Sequence, residues 1–413
     1  MERFKKDLQY YKFCAYGFLK NLQFFEIFIV LFLRERGFSF TDIGILYAIR
    51  ETCMWILEIP TGAFADIIGR KKTMVLSFSA YIISFIFFYF SFHFLTLSAA
   101  MIIFALGDAL RSGTHKAMIF DYLKHENMLL FKTQYYGYTR SASQFGSAFS
   151  ALFAAFVVFV SSSYAIVFLV SIIPYLLDIA LIISYPGYLD KGHPHAAAFS
   201  LKEYRKALVP VLKSKKVYAA FGLISAFDGF FKSIKDYIQP ILKLAAASFV
   251  IYPAFTSSQN EAVAIGLVYF ILFTLTAYSS RFGSMLVRHF KSERLYLYIT
   301  ALTGALFVIL TGIILYLGMP ALSLIPFIML YMLKNMRRPS GVSMFSELTD
   351  SSVLATALSA DSLMQSISAS LLAVITGILA DKLGIGVAVI ILSGIMIIFW
   401  SFLNLTLIRR ENA

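Results

Sequence analysis

The residues of this chain best able to do chemistry are ionisable side chains standing inside long apolar stretches. They are Lys20 and Glu26 in the first stretch, Asp108, Arg111, His115 and Lys116 in the fourth, Asp228, Lys232 and Lys235 in the seventh, and Lys334, Arg337 and Arg338 in the tenth. A carboxylate or imidazole takes up and releases a proton when burial and changing partners move its pKa. Glu26, Asp108, His115 and Asp228 are therefore candidates for proton coupling. The cations outnumber the acids, so the set predicts an anionic ligand, or a neutral one rich in acceptor groups. Lys20, Arg111, Lys116, Lys232, Lys235, Lys334 and Arg338 are the candidate ligand-binding residues. Asp108 and Arg111 stand three apart; Arg111 and His115, Asp228 and Lys232, and Lys334 and Arg338 stand four apart, so each set shares a helical face. The structural alternative for any one of them is an internal ion pair or a snorkelling side chain. Glu51, Glu58, Arg140, Asp178 and Asp361 read as supporting or interhelical pairs.

The elements that must position these groups follow from composition. Hydrophobic residues make up 59% of 413 and charged residues 14%, against roughly 25% charged in soluble domains; the mean hydropathy is +0.76. No soluble fold hides so much apolar surface. Apolar runs cover residues 12–33, 42–64, 73–93, 95–123, 133–160, 164–184, 216–238, 262–287, 295–317, 322–348, 354–381 and 385–408, each near the roughly 20 residues a helix needs to span a bilayer. Barrel-type alternation is absent, which leaves bundled helices as the spanning element. The expected fold is an all-α membrane protein of twelve transmembrane helices in two six-helix bundles. Lys and Arg crowd alternate connections, including Arg3, Lys5, Lys6 and Lys12 at one end and Arg409 and Arg410 at the other, which predicts that both termini are cytoplasmic.

The same distribution explains the net charge of +13 without nucleic acid. Cys14 and Cys53 lie in apolar runs and support neither a disulfide framework nor a thiolate cluster. His193 and His195 alone do not make a metal site. Phosphate-loop, nucleophile-elbow and HExxH patterns are absent, so no cofactor, no metal and no enzymatic activity are expected. No small-residue cleavage site follows the basic N-terminal residues, so the first run reads as a membrane helix rather than a removable signal.

A polar stretch at 185–215 divides the chain into residues 1–184 and 216–413. Within it, Ser200 and Glu203 have capping-box spacing and Leu201, Tyr204, Leu208 and Leu212 share a face, giving either an interfacial helix or a solvated linker. The apolar segment from Ile241 to Ala262 either extends the seventh helix or lies on the membrane surface. Arg111 and Asp121 match Arg337 and Glu347 at the same offset, as a duplicated six-helix unit would leave.

Between spans 2 and 3 the chain reads Gly62-Ala63-Phe64-Ala65-Asp66-Ile67-Ile68-Gly69-Arg70-Lys71, after Glu58-Ile59-Pro60-Thr61. Gly62 can admit a neighbouring helix, Gly69 a tight turn, Asp66 can face a helix N-terminus, and Arg70 can pair with a carboxylate. This segment resembles the signature loop of the major facilitator superfamily. Ser112 to Leu123 and Arg337-Arg338-Pro339 resemble its drug-efflux-like bacterial branch, although Lys116 stands where that branch often has an acid, and Gln144 to Ala148 has Gly without the Pro of many antiporters. The resemblance implies that helices 1, 4, 7 and 10 line a central cavity and that access alternates between the two sides. It implies a conformational latch of Gly62, Asp66, Gly69, Arg70 and Asp121, with Asp121 as the partner of Arg70. The expected function is secondary transport of a small, anionic organic solute by a monomer in the inner (plasma) membrane, coupled to protons and directed to efflux by antiport. The alternatives are proton-linked uptake of an anionic nutrient or metal chelate, and a non-transporting receptor or scaffold.

Overall fold

The structure is a computed structural model that describes residues 6–190, 209, 215–248, 252–290, 292–348 and 354–411. Among the described residues it is helical throughout, with no strand. The first half contains α1 (Leu8–Lys20), α2 (Ile29–Glu35), α3 (Phe40–Ile68), α4 (Arg70–Phe90), α5 (Phe94–Arg111), α6 (Thr114–His125), α7 (Lys132–Ser161) and α8 (Ile166–Ile183). The second contains α9 (Lys215–Ala220), α10 (Ala226–Ile234), α11 (Ile238–Ala247), α12 (Ser257–Leu286), α13 (Glu293–Tyr316), α14 (Pro320–Leu348), α15 (Leu354–Leu383) and α16 (Ile385–Glu411). These helices make up the twelve spans of the expected fold. The candidate interfacial helix at 201–212 lies outside the described residues but for position 209.

Eight of the helical spans are long and apolar enough to cross a membrane by length and composition alone, among the described residues. The four that are not are spans 1, 2, 7 and 10. Spans 1 and 7 are broken, and spans 2 and 10 carry charge, as Arg50, Glu51, Lys334, Arg337 and Arg338 show. Departure from the ideal apolar helix is thus concentrated where polar chemistry is to be placed.

The chain forms two compact units. One contains residues 1–29, 53–199 and 266–273; the other contains residues 30–52, 200–265 and 274–413. Within the first, span 1 is not the continuous helix its hydropathy predicts. Asn21 stops α1 by turning its amide onto the backbone, with Nδ2 donating to the Gly17 carbonyl at 2.9 Å and to the Ser143 carbonyl at 3.0 Å. Such local side-chain bonding competes with the helical ladder. The chain then runs through tight i to i−3 bonds, Leu22 N–H to Leu19 and Glu26 N–H to Gln23, before α2 begins. Buried Phe24, Phe25 and Phe28 anchor the irregular stretch, and Phe25 stacks on Phe168 at 5.5 Å.

In the second unit, the helix that follows Ala220 carries a π turn at Phe221–Ser225. One inserted residue turns everything beyond it by about 100° about the axis. The carbonyls this disturbs are satisfied from outside: Trp400 Nε1 donates to Gly222 at 2.9 Å and Arg337 Nη2 to Leu223 at 2.6 Å. A 3-10 turn at Lys235–Tyr237 follows, and α11 then continues the span into the segment read as an outer loop. That segment extends helix 7 as far as Ala247.

The start of α3 is held by three side chains. Ser39 and Asp42 cap each other, and Asp381 on α15 accepts Phe40 N–H at 2.9 Å and Thr41 N–H at 2.7 Å. Two of the free N–H groups of α3 thus gain a carboxylate at the positive end of the helix. The backbones themselves touch, since a Cβ at Gly377 would lie 2.3 Å from the Phe40 carbonyl oxygen, and one at Gly44 would lie 2.4 Å from that of Ala373. Gly377→Leu is therefore expected to cost about 1–3 kcal/mol by overpacking, read as a lower melting temperature of the detergent-solubilised protein. Gly394→Ala, where the added methyl meets nothing within 4 Å, should leave it unchanged or slightly higher.

Candidate functional site

A cavity of about 260 Å³ opens in the second unit, and its walls carry Asp228, Lys334, Arg337, Arg338, Asp361 and Gln365 with an apolar remainder from Ile224, Leu297, Phe345 and Leu358. Four spans converge on it, the seventh, ninth, tenth and eleventh. The π turn aims α10 so that Asp228 faces Lys334, whose ammonium lies 4.0 Å from the carboxylate and 5.6 Å from the centre of the Phe231 ring. Arg338, one helical turn beyond Lys334, is exposed. Asp361 lines the same cavity from α15, accepting from Ser225 Oγ at 2.6 Å and from Gln365 Nε2 at 2.8 Å.

The spacing argument paired Asp228 with Lys232, and the structure does not. Lys232 Nζ meets Glu51 Oε2 at 3.0 Å, and the same oxygen accepts from Ser366 Oγ at 3.0 Å. A carboxylate from another helix therefore outcompetes the one four residues away, and Asp228 is left to Lys334. Lys235 pairs with its neighbour Asp236 at 2.8 Å in the 3-10 turn, while its carbonyl accepts from Tyr331 at 2.8 Å. Neither Lys232 nor Lys235 lines the cavity.

Arg337 has a different task from the cations beside it. Its guanidinium is buried, donates to the carbonyls of Leu223 and Leu297 and to the Thr300 hydroxyl, and lies 4.0 Å over the Phe227 ring. Its five donors in a fixed fork let one side chain tie the π turn to α13.

The first unit holds a second polar cluster. Tyr81 donates to Asp108 Oδ1 at 2.5 Å, and Arg111 reaches the Tyr81 hydroxyl at 3.1 Å and the same carboxylate oxygen at 3.5 Å. Arg111 and His115 do not share one helix face, because the span breaks at Ser112-Gly113, where Gly113 takes a φ of 75°. His115 begins the next helix, buried, stacked on Tyr16 at 3.5 Å and 3.3 Å from the Tyr185 hydroxyl. Burial pushes the Tyr185 phenol well above its ordinary value, so it remains neutral at physiological pH. Lys20 ends α1, half-buried, and Glu26 lies in the irregular stretch beyond it. Lys116 is exposed, its ammonium 5.9 Å from the Phe120 ring and 5.8 Å from that of Tyr136. Asp178 is fully buried and neither oxygen has a hydrogen-bond partner, with Lys20 and Arg111 the neighbouring cations.

At the signature loop, Arg70 forms an ion pair with Asp121. Gly69 starts α4 with a φ of 107° and lies against Asp190, whose carboxylate also accepts Lys71 N–H at 2.8 Å. Lys71 in turn donates to the carbonyls of Ile183 and Tyr185, closing the end of α8. A Cβ at Gly62 would meet no described atom within 4 Å. The Asp66 side chain lies outside the described set.

Asp361 and Asp190 escaped the sequence reading as site residues. Asp361 had one signal, a carboxylate inside an apolar span with no basic residue three or four positions away. Asp190 had none, because its role depends on where the chain returns in space.

Fold and cavity together define a multi-pass helical membrane protein with a polar cavity in its second unit. The chain belongs to the Major Facilitator Superfamily, whose family model matches residues 13–333. It is 38% identical over 85 residues to an uncharacterized MFS-type transporter, YxaM, of Bacillus subtilis (strain 168), a match spanning 21% of this chain and 21% of that protein. Among solved structures, the nucleoside transporter NupG superposes with a TM-score of 0.74 at 10% identity, covering 96% of this chain and 98% of that one. A POT family transporter in complex with 5-aminolevulinic acid superposes with a TM-score of 0.68 at 14% identity, covering 96% and 94%. At these identities the likeness concerns the fold.

Proposed function

We propose that this chain is a proton-coupled secondary transporter of a small organic solute bearing a negative charge, with Lys334 and Arg338 holding that charge. Residues 1–184 and 216–413 act as the two bundles of an alternating-access cycle in the cell's inner membrane, with both termini cytoplasmic. The observation that carries the reading is the cavity in which Asp228 stands 4.0 Å from Lys334. At that separation the pair is at the outer limit of ion pairing, loose enough for a solute anion to replace the carboxylate. Fold alone does not select the solute, since nucleosides and 5-aminolevulinic acid are both named for proteins of this shape.

The same pairing bears on direction. Efflux by antiport needs proton and solute to compete for the protein. Here the solute competes with ionised Asp228 for Lys334, so protonating Asp228 removes the competitor and favours the anion. Proton and solute then travel together, which supports proton-linked uptake, the alternative in the sequence reading, over antiport. The Arg70–Asp121 pair serves as part of the latch that one end of the cycle makes and the other breaks.

The reading is tested by thermal-shift titration of the purified full chain with a panel of small carboxylates and phosphates. Stabilisation by at least one anion is expected, and lost by about tenfold or more in affinity in Lys334→Met. Stabilisation that persists in Lys334→Met together with Arg338→Met would remove the site from the account.

A further inference from the structure

Asp361 is left over by the functions assigned so far. The other described carboxylate lining the cavity, Asp228, has a cation, Lys334 at 4.0 Å, and Glu51 near by is paired with Lys232 at 3.0 Å. Asp361 receives hydrogen bonds only from neutral groups, Ser225 Oγ on one oxygen and Gln365 Nε2 on the other. Lys232, the cation whose field reaches it, is engaged by Glu51. Arg337, on the same cavity wall, spends its donors on Leu223, Leu297 and Thr300.

A carboxylate in such a place is costly unless something completes it. Each of its oxygens has room for a second donor, and the residue lines the open volume rather than a packed contact. The two hydrogen bonds fix its orientation while supplying no charge. Lys334 and Arg338 line the same cavity from α14 with the opposite sign. The walls therefore carry both signs of charge on different helices.

We propose that Asp361 is the subsite for a cationic group, so that the solute is a zwitterion whose anionic end lies at Lys334 and Arg338 and whose ammonium or equivalent cation lies at Asp361. This deepens the proposed function and rests on its anion site. Asp361 sets specificity: a solute with only the negative end satisfies one wall and leaves a half-buried carboxylate uncompensated, whereas the zwitterion completes both. Ser225 and Gln365 act as positioning residues. The Ser225 contact ties the subsite to the π turn, because the turn presents that hydroxyl to α15.

The test uses the purified full chain and matched sets of ligands on one carbon skeleton: α-amino acids and dipeptides, the corresponding deaminated acids, and the corresponding decarboxylated amines. Affinities are read by thermal shift and isothermal titration. The zwitterions are expected to bind at least about tenfold more tightly than their deaminated acids. In Asp361→Asn that preference should vanish, with the acids bound within about twofold of the unmodified protein, which also shows that the variant is folded. Ser225→Ala should reduce the preference by a few fold, and Asp361→Glu should retain part of it. Deaminated acids binding as tightly as zwitterions, with no effect of Asp361→Asn, would overturn the zwitterion assignment and leave the anion site standing. Binding of the amines alone, or of no member of the panel, would overturn the anion site as well.

Discussion

Arg337→Leu is expected to destabilise the protein by about 2–4 kcal/mol and to deplete folded material from the membrane fraction. The guanidinium is buried and donates to three acceptors, the carbonyls of Leu223, in the π turn, and of Leu297, and the hydroxyl of Thr300. Leucine removes all three of these charge-assisted bonds, and it also removes the cation from the Phe227 ring. Lysine keeps the charge but cannot reproduce the fork, so Arg337→Lys should recover little. Trp400→Phe, which removes the single bond to Gly222, should cost about 1 kcal/mol. Melting temperatures and size-exclusion profiles in detergent measure all three. A melting temperature for Arg337→Leu equal to that of the unmodified chain would show that the π turn needs no external partner.

The second large effect concerns coupling. Asp228→Asn imitates the protonated acid permanently, so Lys334 loses its competitor at every pH. Solute affinity in this variant is expected to exceed that of the unmodified protein at neutral pH. Exchange of solute across the membrane should survive, whereas accumulation driven by protons should disappear. For one proton per solute, a gradient of one pH unit supports about tenfold accumulation, and the variant should reach a ratio of about one. Asp108→Asn acts on the other polar cluster, where Tyr81 and Arg111 share one carboxylate oxygen. Gradient-driven accumulation unchanged in both variants would eliminate carboxylate coupling at these positions.

Most of the fold was legible because a bilayer leaves a chain few choices. Long apolar runs had to be helices, and their number together with the Gly62 to Lys71 segment pointed to the family. What hydropathy could not resolve was the interior of the spans. Residues 18–33 contain neither Gly nor Pro, so nothing local marks the break after Lys20; it depends on Asn21 finding the Ser143 carbonyl on a distant helix. The π turn at Phe221–Ser225 is equally silent, since its cause lies in Trp400 and Arg337.

The site was legible in kind more than in detail. Charges inside spans 1, 4, 7 and 10 could be read from sequence, and Asp228, Lys334 and Arg338 do line one cavity. Helical spacing misassigned Lys232, because an i, i+4 neighbour is worth only about 0.2–0.5 kcal/mol and a carboxylate brought in by another helix easily outweighs it. Asp361 was set among supporting pairs because sequence gives no view of which carboxylates lack a cation. That distinction separates a cavity for anions from one for molecules carrying both signs.

The most direct test of coupled transport uses the protein reconstituted in vesicles loaded with a pH-sensitive dye, with the membrane potential clamped. A solute that stabilises the purified protein is added outside, and the lumenal pH is followed. Entry of proton and solute together predicts acidification of the lumen that is absent in Asp228→Asn. Alkalinisation, or no change in pH while labelled solute enters, would contradict the account.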